Sequence, residues 1–406
     1  MTAIATLALA LLWPEFRGPT GQGLSTATNL PTVWSPTTNV VWKQAVPGLG
    51  WSSPVISEER VFLTTAVEKG DLISLQALAL QAGSGNILWS TEVFAARPER
   101  AHSKNSHASP TPLIEGERLY VHFGHYGTAC LDLTSKILWR TSEVEYSPVH
   151  GNAGSPVLAG EVLVFNCDGA DNPFVVALDK NSGKVLWKFN RNATAKKKFS
   201  FSTPLLVNGQ LITVGSGAVS ALNPKTGKET WNVPFTEGYS VVPRPVHGHG
   251  LIFISTGFDR PVVMAIRPAG NKAEVAWTLT RGAPNTPSLL LVGDELYMVS
   301  DAGIATCVDA HSGKIHWQER VGGNYSASPV FADGKIYLQS EEGKGVVLKA
   351  GKEFLKIAEN SLDEKALASY AVGGDSLFVR TAKHLYRIGS VQKKRAGEQS
   401  ALRVVP

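Results

Sequence analysis

The segment HSKNSHASPTP, residues 102–112, crowds two histidines, a lysine, an asparagine and three serines in front of two prolines. Imidazole nitrogens are common zinc ligands, so His102 and His107 are candidates for a metal site. They lie five residues apart, however, with no helix to align them and no cysteine nearby. The other interpretation is a polar loop in which Asn105 and the serines bond to neighbouring backbone groups.

A second segment, NCDGADNP at 166–173, offers four side chains with the hard oxygen ligands that calcium prefers: Asn166, Asp168, Asp171 and Asn172. Their spacing is not that of a known calcium loop. Asx turns between strands account for the same residues, because Asn and Asp bond to nearby backbone amides. A third segment, SPVHGNAGSP at 147–156, lacks the strand–turn–helix context of a hydrolase nucleophile. We therefore predict no catalytic residue and no metal ligand.

Composition narrows the possible classes of protein. The chain has 406 residues, of which 43% are hydrophobic and 18% charged, as is typical of a globular protein. Its net charge is +5, and the basic residues are dispersed except for three lysines at 196–198, so no nucleic-acid partner is predicted. Residues 1–12 are predicted to be a signal peptide, too short to span a membrane. The protein is thus expected in the periplasm or cell envelope.

Ten tryptophans against three methionines indicate a repeated structural use of tryptophan. Four segments share one frame: ALQAGSGNILW at 79–89, ALDKNSGKVLW at 177–187, ALNPKTGKETW at 221–231 and CVDAHSGKIHW at 307–317. A copy that is one residue shorter ends at Trp139. Near Trp277 and Trp42, only the second strand of the frame can be recognised. Each copy is predicted to be a strand, a glycine turn and a strand. The tryptophans are expected to pack between neighbouring units.

Between these copies a proline precedes an apolar strand by seven residues, as in SPVISEERVFL, TPLIEGERLYV and SPVFADGKIYL. With two degenerate copies there are eight such hairpins. Joined to the tryptophan hairpins, they make eight four-stranded units that can close radially into a β-propeller. A seven-bladed propeller would require one hairpin to be discarded. Serine or threonine precedes most of these prolines, and a residue repeated by the architecture is predicted to be structural.

The predicted fold is therefore an all-β, eight-bladed propeller of four-stranded antiparallel blades, over residues 39–390. A lead-in segment at 13–38 precedes it and a basic tail at 391–406 follows it. The last unit supplies only three strands, whereas the strand at 39–46 precedes any complete unit. We predict that this N-terminal strand completes the last blade.

The frame A-x-D-x-x-[ST]-G-K-x-x-W resembles the tryptophan-docking repeat of the pyrroloquinoline-quinone (PQQ) propeller superfamily. That superfamily contains quinoprotein alcohol dehydrogenases and BamB-type outer-membrane assembly proteins. More narrowly, WPEFRGPTGQG, KNSHASPTP, CDGADNPFVVALD and GYSVVPRPV are similar to segments of exported PQQ-like repeat proteins of planctomycete-type bacteria. The resemblance implies the fold, whereas the function has to be argued from the site.

The three cysteines bear on whether the chain is an enzyme. The resemblance implies adjacent cysteines beside the quinone of a dehydrogenase, but Cys130, Cys167 and Cys307 are isolated. Cys130 and Cys307 occupy the same slot of the repeat in the second and sixth blades, on opposite sides of the propeller. They are too far apart for a disulfide, which needs Cα atoms within about 7 Å. All three are expected to be buried free thiols.

One face of the predicted propeller collects polar residues. If the strands of a blade are named A to D from the axis outwards, the B–C loops and the D-to-A loops share one face, and the glycine turns share the other. The first face is predicted to be a binding funnel. Its predicted residues are Trp51, Lys104, Asn105, His107, His125, Asn152, Asp168, Asp171, Asn172, Arg244, Asp259, Arg260, Arg281, Asn285, Asp301, Asn324, Tyr325, Glu341 and Glu342.

The predicted function is that of an exported, non-catalytic binding or scaffold module of BamB type. A monomeric propeller is expected, with a protein partner in the cell envelope or a small ligand, and no cofactor is firmly implied. The alternative is an oxidoreductase that uses PQQ with calcium. In that alternative Trp51 would be the aromatic platform, and Asp168, Asp259 or Asp301 the base.

Overall fold

The computed structural model describes residues 12–192 and 195–390. These residues form 32 strands and one short 3₁₀ turn, η1 (Gly124–Tyr126). The strands are β1 (Val40–Ala45), β2 (Val55–Ser57), β3 (Arg60–Lys69), β4 (Leu72–Gln81), β5 (Ile87–Ala96), β6 (Leu113–Glu115), β7 (Arg118–His122), β8 (Thr128–Asp132), β9 (Ile137–Thr141), β10 (Val157–Ala159), β11 (Val162–Cys167), β12 (Phe174–Asp179), β13 (Val185–Asn190), β14 (Leu205–Val207), β15 (Gln210–Gly215), β16 (Ala218–Leu222), β17 (Glu229–Pro234), β18 (Val246–Gly248), β19 (Leu251–Ser255), β20 (Val263–Ala269), β21 (Lys272–Leu279), β22 (Leu290–Val292), β23 (Glu295–Val299), β24 (Ile304–Asp309), β25 (Ile315–Arg320), β26 (Val330–Ala332), β27 (Lys335–Gln339), β28 (Lys344–Lys349), β29 (Lys356–Ser361), β30 (Ala371–Gly373), β31 (Ser376–Arg380) and β32 (His384–Ile388).

The strands form eight antiparallel sheets of four, and each sheet is one blade. Blade 1 is β2 to β5, each later blade takes the next four strands, and blade 8 is β30, β31, β32 and β1. The predicted eight-bladed propeller is confirmed. Residues 1–11 of the predicted signal peptide and the predicted tail at 391–406 lie outside the described residues. The part of the chain that the structure describes contains no helix with the length and hydropathy of a membrane span.

Burial follows the position of a strand in its blade. Strand β11, second from the axis in blade 3, is buried at every residue, because neighbouring blades cover both of its faces. Strand β13, the outermost of the same blade, alternates between half-buried and exposed residues. The core therefore lies between the blades as a series of separate apolar clusters, one of which joins blades 8 and 1.

The repeated tryptophans wedge neighbouring blades together, as predicted. The Trp139 Nε1 in blade 2 donates to the Lys180 carbonyl oxygen in the β12–β13 turn of blade 3, at 2.9 Å. The same bond to the following blade is made by Trp42, Trp89, Trp187, Trp277 and Trp317. Gly183 of that turn has a φ of +73°, and a Cβ there would lie 2.5 Å from the Trp139 ring. Glycine is thus required both by the turn and by the ring packed on it.

The ends of the ring close as the sequence predicts. β1 pairs antiparallel with β32 and completes blade 8. Lys43 of β1 reaches Glu364 with Nζ 3.0 Å from Oε1. Arg380 of blade 8 is buried, and its Nη1 donates to the Ser52 Oγ at 2.7 Å at the start of blade 1. Closure is therefore held by a strand ladder and by two cationic side chains.

The lead-in segment crosses the centre of the propeller. Each innermost strand leaves a free backbone edge towards the axis, and such edges invite further pairing. Residues 13–25 hydrogen-bond to four of these eight strands, in blades 1, 2, 5 and 7. The bonded pairs are Trp13 with Ile56, Pro14 with Ile114, Gln22 with His247 and Gly23 with Phe331. The lead-in segment therefore closes the central channel at the level of the innermost strands.

Candidate binding funnel

Above the lead-in segment, the D-to-A loops of all eight blades surround one cavity of about 560 Å³. Phe16 of the lead-in segment lines it from below. The cavity opens on the predicted face, where the B–C loops of blades 5 and 6 also contribute Phe258 and Asp301. We call this cavity the funnel.

A ring of hydroxyl groups lines the base of the funnel. In seven of the eight blades, serine or threonine occupies the position just before strand A. The backbone N–H at this position donates to the hydroxyl of the next blade over 2.9 to 3.2 Å. These bonds run from Ser53 to Thr111, Thr111 to Ser155, Ser155 to Thr203, Arg244 to Ser288, Ser288 to Ser328, Ser328 to Ser369 and Ser369 to Ser53. The repeated serines are thus structural, as predicted.

Arg244 replaces the hydroxyl in blade 5 and has a different role. It is 2% exposed, and its Nε donates to the Pro204 carbonyl oxygen of blade 4 at 3.0 Å. Its guanidinium also bonds to the Phe16 carbonyl oxygen and contacts Glu15 Oε2 at 3.3 Å. A Cβ on Gly21 would lie 2.6 Å from this guanidinium, so only glycine fits there. Arg244 was predicted as a funnel residue, but its charge holds the lead-in segment and does not line the cavity.

Aromatic side chains form a continuous arc along the wall of blades 2 to 5. Neighbouring ring centroids are 5.1 to 6.1 Å apart in the sequence His102, His150, Phe199, Tyr239 and Phe258, with Phe201 beside Phe199. Burial lowers the pKa of His150, and nearby His102 and Lys197 lower it further, which favours the neutral imidazole. Phe258 remains 54% exposed at the mouth. The arc therefore offers an apolar surface with an exposed aromatic at its end.

The opposite wall is polar. Lys104, from the loop between blades 1 and 2, reaches Glu341 of blade 7 with Nζ 2.7 Å from Oε1. Trp51 lies beneath Lys365, whose Nζ is 6.0 Å from the indole ring. Asp301 Oδ2 accepts the backbone N–H groups of Asn285 and Thr286 at 2.7 and 3.2 Å. On this wall the Lys104 charge is thus paired with Glu341, and the Asp301 carboxylate is hydrogen-bonded by two backbone amides.

The 102–112 loop is partly a self-bonded polar loop and partly a section of the funnel wall. Asn105 lines the funnel, but its Oδ1 accepts the Ser106 N–H and its Nδ2 donates to the His150 carbonyl oxygen. Lys104 lines the funnel and reaches across to Glu341. His107 turns away, with Nδ1 3.3 Å from the Tyr126 hydroxyl, and burial lowers its pKa. His102 packs against His150 instead, so the two histidines of this loop do not form a metal pair.

Two other predicted residues lie outside the funnel, behind the loop of blade 2. Asn152 is buried, and its Oδ1 accepts the Tyr146 hydroxyl at 2.7 Å. Its Nδ2 lies 3.0 Å from the Nδ1 of His125. His125 in turn stacks on Tyr126 with ring centroids 3.9 Å apart. These contacts brace the loop and leave neither residue facing the cavity.

The segment weighed above as a calcium loop is split between two environments. Asn166 bonds to blade 4, where its Oδ1 accepts the Thr213 hydroxyl at 2.8 Å. Asp168 Oδ1 accepts Arg191 Nε at 2.7 Å, and burial raises the pKa of this carboxyl to about 6 although Arg191 opposes the shift. Asp171 and Asn172 line a separate cavity of about 520 Å³. The four oxygens are therefore not gathered for a cation.

The remaining predicted residues lie at the rim. Asp259 and Arg260 are exposed and do not line the funnel, and Arg260 faces Glu237 at 3.9 Å. Asn324 Nδ2 donates to Glu342 Oε1 at 2.8 Å. Arg281 Nε donates to Gln318 Oε1 at 2.6 Å, whereas Tyr325 is buried. Of the nineteen predicted funnel residues, the structure brings together Trp51, Lys104, Asn105, Asn285 and Asp301.

The cysteines behave as predicted. Cys130, Cys167 and Cys307 are buried free thiols, and Cys130 and Cys307 lie in blades 2 and 6, across the ring. Burial raises the pKa of the Cys130 and Cys307 thiols to about 12. Such thiols are protonated and unreactive at neutral pH.

Sequence reasoning missed the aromatic arc. Phe199 and Phe201 alternate just before strand A of blade 4, in the spacing that puts both side chains on one side of an extended segment. Lys197, one of the three consecutive lysines, lines the funnel with its Nζ 4.6 Å from the Tyr239 ring. Apolar residues in the D-to-A loops were the available signal, because loops otherwise favour polar side chains.

Comparison with known proteins assigns the chain to a family. The family model described as outer membrane protein assembly factor BamB matches residues 24–165, 77–319 and 290–352. The chain belongs to this family of PQQ-like repeat propellers. It is 24% identical over 238 residues to the outer membrane protein assembly factor BamB of Yersinia pestis, covering 53% of the chain and 57% of that protein.

The chain is also similar to enzymes in sequence and in structure. The chain is 29% identical over 138 residues to a lanthanide-dependent methanol dehydrogenase of Methylacidiphilum fumariolicum, covering 30% of the chain and 22% of that enzyme. A europium-containing methanol dehydrogenase structure superposes with a TM-score of 0.69 at 12% identity, over 94% of the chain and 92% of that structure. The chain thus spans less than two-thirds of the length of the curated relatives it matches. The likeness in structure shows the fold alone.

Proposed function

We propose that the chain is an exported, non-catalytic binding or scaffold module of the cell envelope, whose funnel holds a partner segment or a small ligand. The observation that carries the proposal is the contrast within the funnel wall. Its base repeats the same hydroxyl bond from blade to blade, whereas the wall above carries an aromatic arc that no propeller needs for closure. Apolar walls with a few convergent polar groups are typical of ligand sites.

Two buried polar atoms indicate what such a ligand offers. Trp51 and Asn285 line the funnel, and two of their atoms, the donor Trp51 Nε1 and the acceptor Asn285 Oδ1, are buried without a hydrogen-bond partner in the protein. A buried unsatisfied group costs about 1–3 kcal/mol, so a small rotation of either side chain that lets it bond to a ligand regains that energy. We infer a ligand with a polar group for this wall and an apolar part for the arc.

The dehydrogenase alternative fits these residues less well. PQQ with calcium or a lanthanide requires several carboxylate oxygens around the ion. Among the described residues that line the funnel, the only carboxylate is Asp301, and one of its oxygens already accepts two backbone amides. Asp168 is buried against Arg191, and Asp259 lies outside the cavity. The residues present therefore do not form the cage that this cofactor uses.

A photo-crosslinking experiment tests the binding proposal. A photoreactive phenylalanine analogue at position 258 should form adducts with the partner in cells, because this ring is exposed at the mouth. The matched control places the analogue at Val275, which is 41% exposed on the outer strand of the same blade. Adducts at 258 should disappear in a Tyr239→Ala background with an unchanged melting temperature. Equal adducts from both positions, or adducts that survive Tyr239→Ala, would contradict the proposal.

Titration with PQQ and calcium distinguishes the binding module from the PQQ-dependent oxidoreductase. We expect no saturable change in absorbance or melting temperature, since the funnel lacks the carboxylates for the ion. A saturable change that is abolished by Asp301→Asn would instead favour the oxidoreductase.

A further inference from the structure

On the face opposite the funnel, three side chains meet at the boundary between blades 5 and 6. His249 lies in the β18–β19 turn of blade 5, Asp294 in the β22–β23 turn of blade 6, and His311 in the β24–β25 turn of blade 6. One potential ligand atom from each side chain lies within 4.8 Å of those of the other two. Within the described ranges 12–192 and 195–390, no other group of three His, Cys, Asp or Glu residues is gathered in this way.

The distances match those around a tetrahedral metal ion. Asp294 Oδ1 lies 3.5 Å from His249 Nε2 and 3.4 Å from His311 Nε2. Zinc bonds of about 2.0–2.1 Å in tetrahedral geometry place neighbouring ligand atoms about 3.3–3.4 Å apart. The two imidazoles, with ring centroids 4.5 Å apart, therefore need little movement to share one ion with the carboxylate.

The propeller does not need these residues for its turns. The turn position of His311 is filled by Gly83, Asn181 and Lys225 in the equivalent turns of blades 1, 3 and 4. The turn itself is made by Asp309, whose Oδ1 accepts the Ser312 N–H at 2.8 Å. Histidine at this position is a departure from the repeat, and it occurs beside a second histidine from the neighbouring blade.

The backbone holds the three turns in place. The Ala310 N–H donates to the Asp294 carbonyl oxygen at 2.9 Å, which fixes the two turns of blade 6 to each other. His249 Nε2 lies 2.8 Å from the Gly293 carbonyl oxygen, which anchors the blade 5 turn to them. An ion at this site would take the place of the Nε2 proton in that contact, and the proton would move to Nδ1 or to solvent.

We propose that His249, Asp294 and His311 form a binding site for a divalent transition-metal ion, with zinc the best match. Two imidazoles and one carboxylate favour zinc, nickel or copper over calcium and magnesium, which prefer oxygen ligands. The side chains are 30%, 61% and 54% exposed, so a fourth position is open to water or to a ligand group of another molecule. The ion would also fasten blade 5 to blade 6.

Zinc binding by the untagged, metal-stripped protein tests the proposal. Calorimetry with zinc should show one saturable site per chain, and zinc should raise the melting temperature because it binds only the folded chain. Cobalt should bind with the visible absorption of a four-coordinate ion. His249→Ala and His311→Asn should each weaken zinc binding at least tenfold, and Asp294→Asn should weaken it less. Lys314→Ala, an exposed change in the same turn as His311, is the matched control and should bind as the parent does.

Because the three side chains are exposed, we expect the variants to fold as the parent does, and the melting temperature without zinc checks this directly. Absence of saturable zinc binding by the parent protein would overturn the proposal. So would a parent-like affinity in the doubly substituted His249→Ala, His311→Asn chain. Neither result depends on the funnel, since the site lies on the other face.

Discussion

The two faces of the propeller use their loops differently. On the turn face, the same arrangement recurs: Asp179 Oδ1 accepts the Ser182 N–H as Asp309 does for Ser312, and glycine supports a tryptophan from the preceding blade. On the funnel face, the loops share one hydroxyl position and differ above it. The repeated residues therefore form the scaffold, and residues that depart from the repeat have roles of their own. Arg244 shows that such a role can also be structural.

The largest effect should follow from removing residues 1–46, which contain the lead-in segment and β1. This deletion exposes the outer edge of blade 8 and the four innermost edges that the lead-in segment covers. Free strand edges pair with other chains, so we expect aggregation and no cooperative unfolding transition. Circular dichroism melting and light scattering measure both. A soluble product that melts at the parent temperature would refute closure by β1.

A shorter deletion separates the two contributions. A chain that begins at Asn39 retains β1 and loses only the lead-in segment. We expect it to fold with a lower melting temperature, because the blades close but the channel is open. If it melts at the parent temperature, the lead-in segment adds nothing to stability.

On the turn face, Trp187→Ala should lower the free energy of unfolding by about 3 kcal/mol, the lower end of the cost of truncating a buried aromatic, because the ring is only partly buried. The ring packs on Gly227 and its Nε1 donates to the Pro224 carbonyl oxygen. Leu186→Ala, next to it but 53% exposed, should change the value by no more than about 0.5 kcal/mol. Urea denaturation of both variants provides the comparison, and equal costs would show that the tryptophan is no wedge.

At the base of the funnel, Arg244→Ala should cost about 3 kcal/mol, near the lower limit for breaking a buried ion pair. The lower limit applies because burial already raises the pKa of Glu15, so this carboxyl can take up a proton when Arg244 is absent. Lys104→Ala removes the partly exposed pair with Glu341 and should cost at most about 1 kcal/mol. Denaturant melts of the two variants rank the pairs. A larger loss with Lys104→Ala would reverse the roles assigned here.

Much of the fold was predictable from the sequence because its determinants are local and repeated. The Asp, Gly and Trp of each frame lie within eleven residues, and their spacing alone gives a strand, a turn and a strand. The number of copies predicted eight blades. The unpaired strand at 39–46 predicted that the N-terminal strand completes the last blade. The family resemblance agreed with both.

The lead-in segment and the direction of the funnel side chains were not predictable in this way. WPEFRGPTGQG has no period, and its partners Ile56, His247 and Phe331 come together only once the ring has closed. Asp168 was placed on the correct face, but Arg191, 23 residues later in the chain, draws its carboxyl into the protein. Loop direction depends on such non-local partners, so residue type alone identified the face and only part of the funnel.

A pH-dependent effect concerns the completion of blade 8 by β1. Burial acts to raise the pKa of Glu364, but hydrogen bonds from His384, Thr381, Lys43 and Tyr386 outweigh it and lower the pKa from 4.5 to about 2. Because the folded pKa lies below the unfolded value, ionised Glu364 stabilises the fold above about pH 4.5, and this contribution is lost as the pH falls towards 2. Glu364→Gln should therefore melt below the parent at pH 6 and approach it at pH 3. A constant difference between the two melting temperatures over this range would show that Glu364 stabilises the closure by packing and not by its charge.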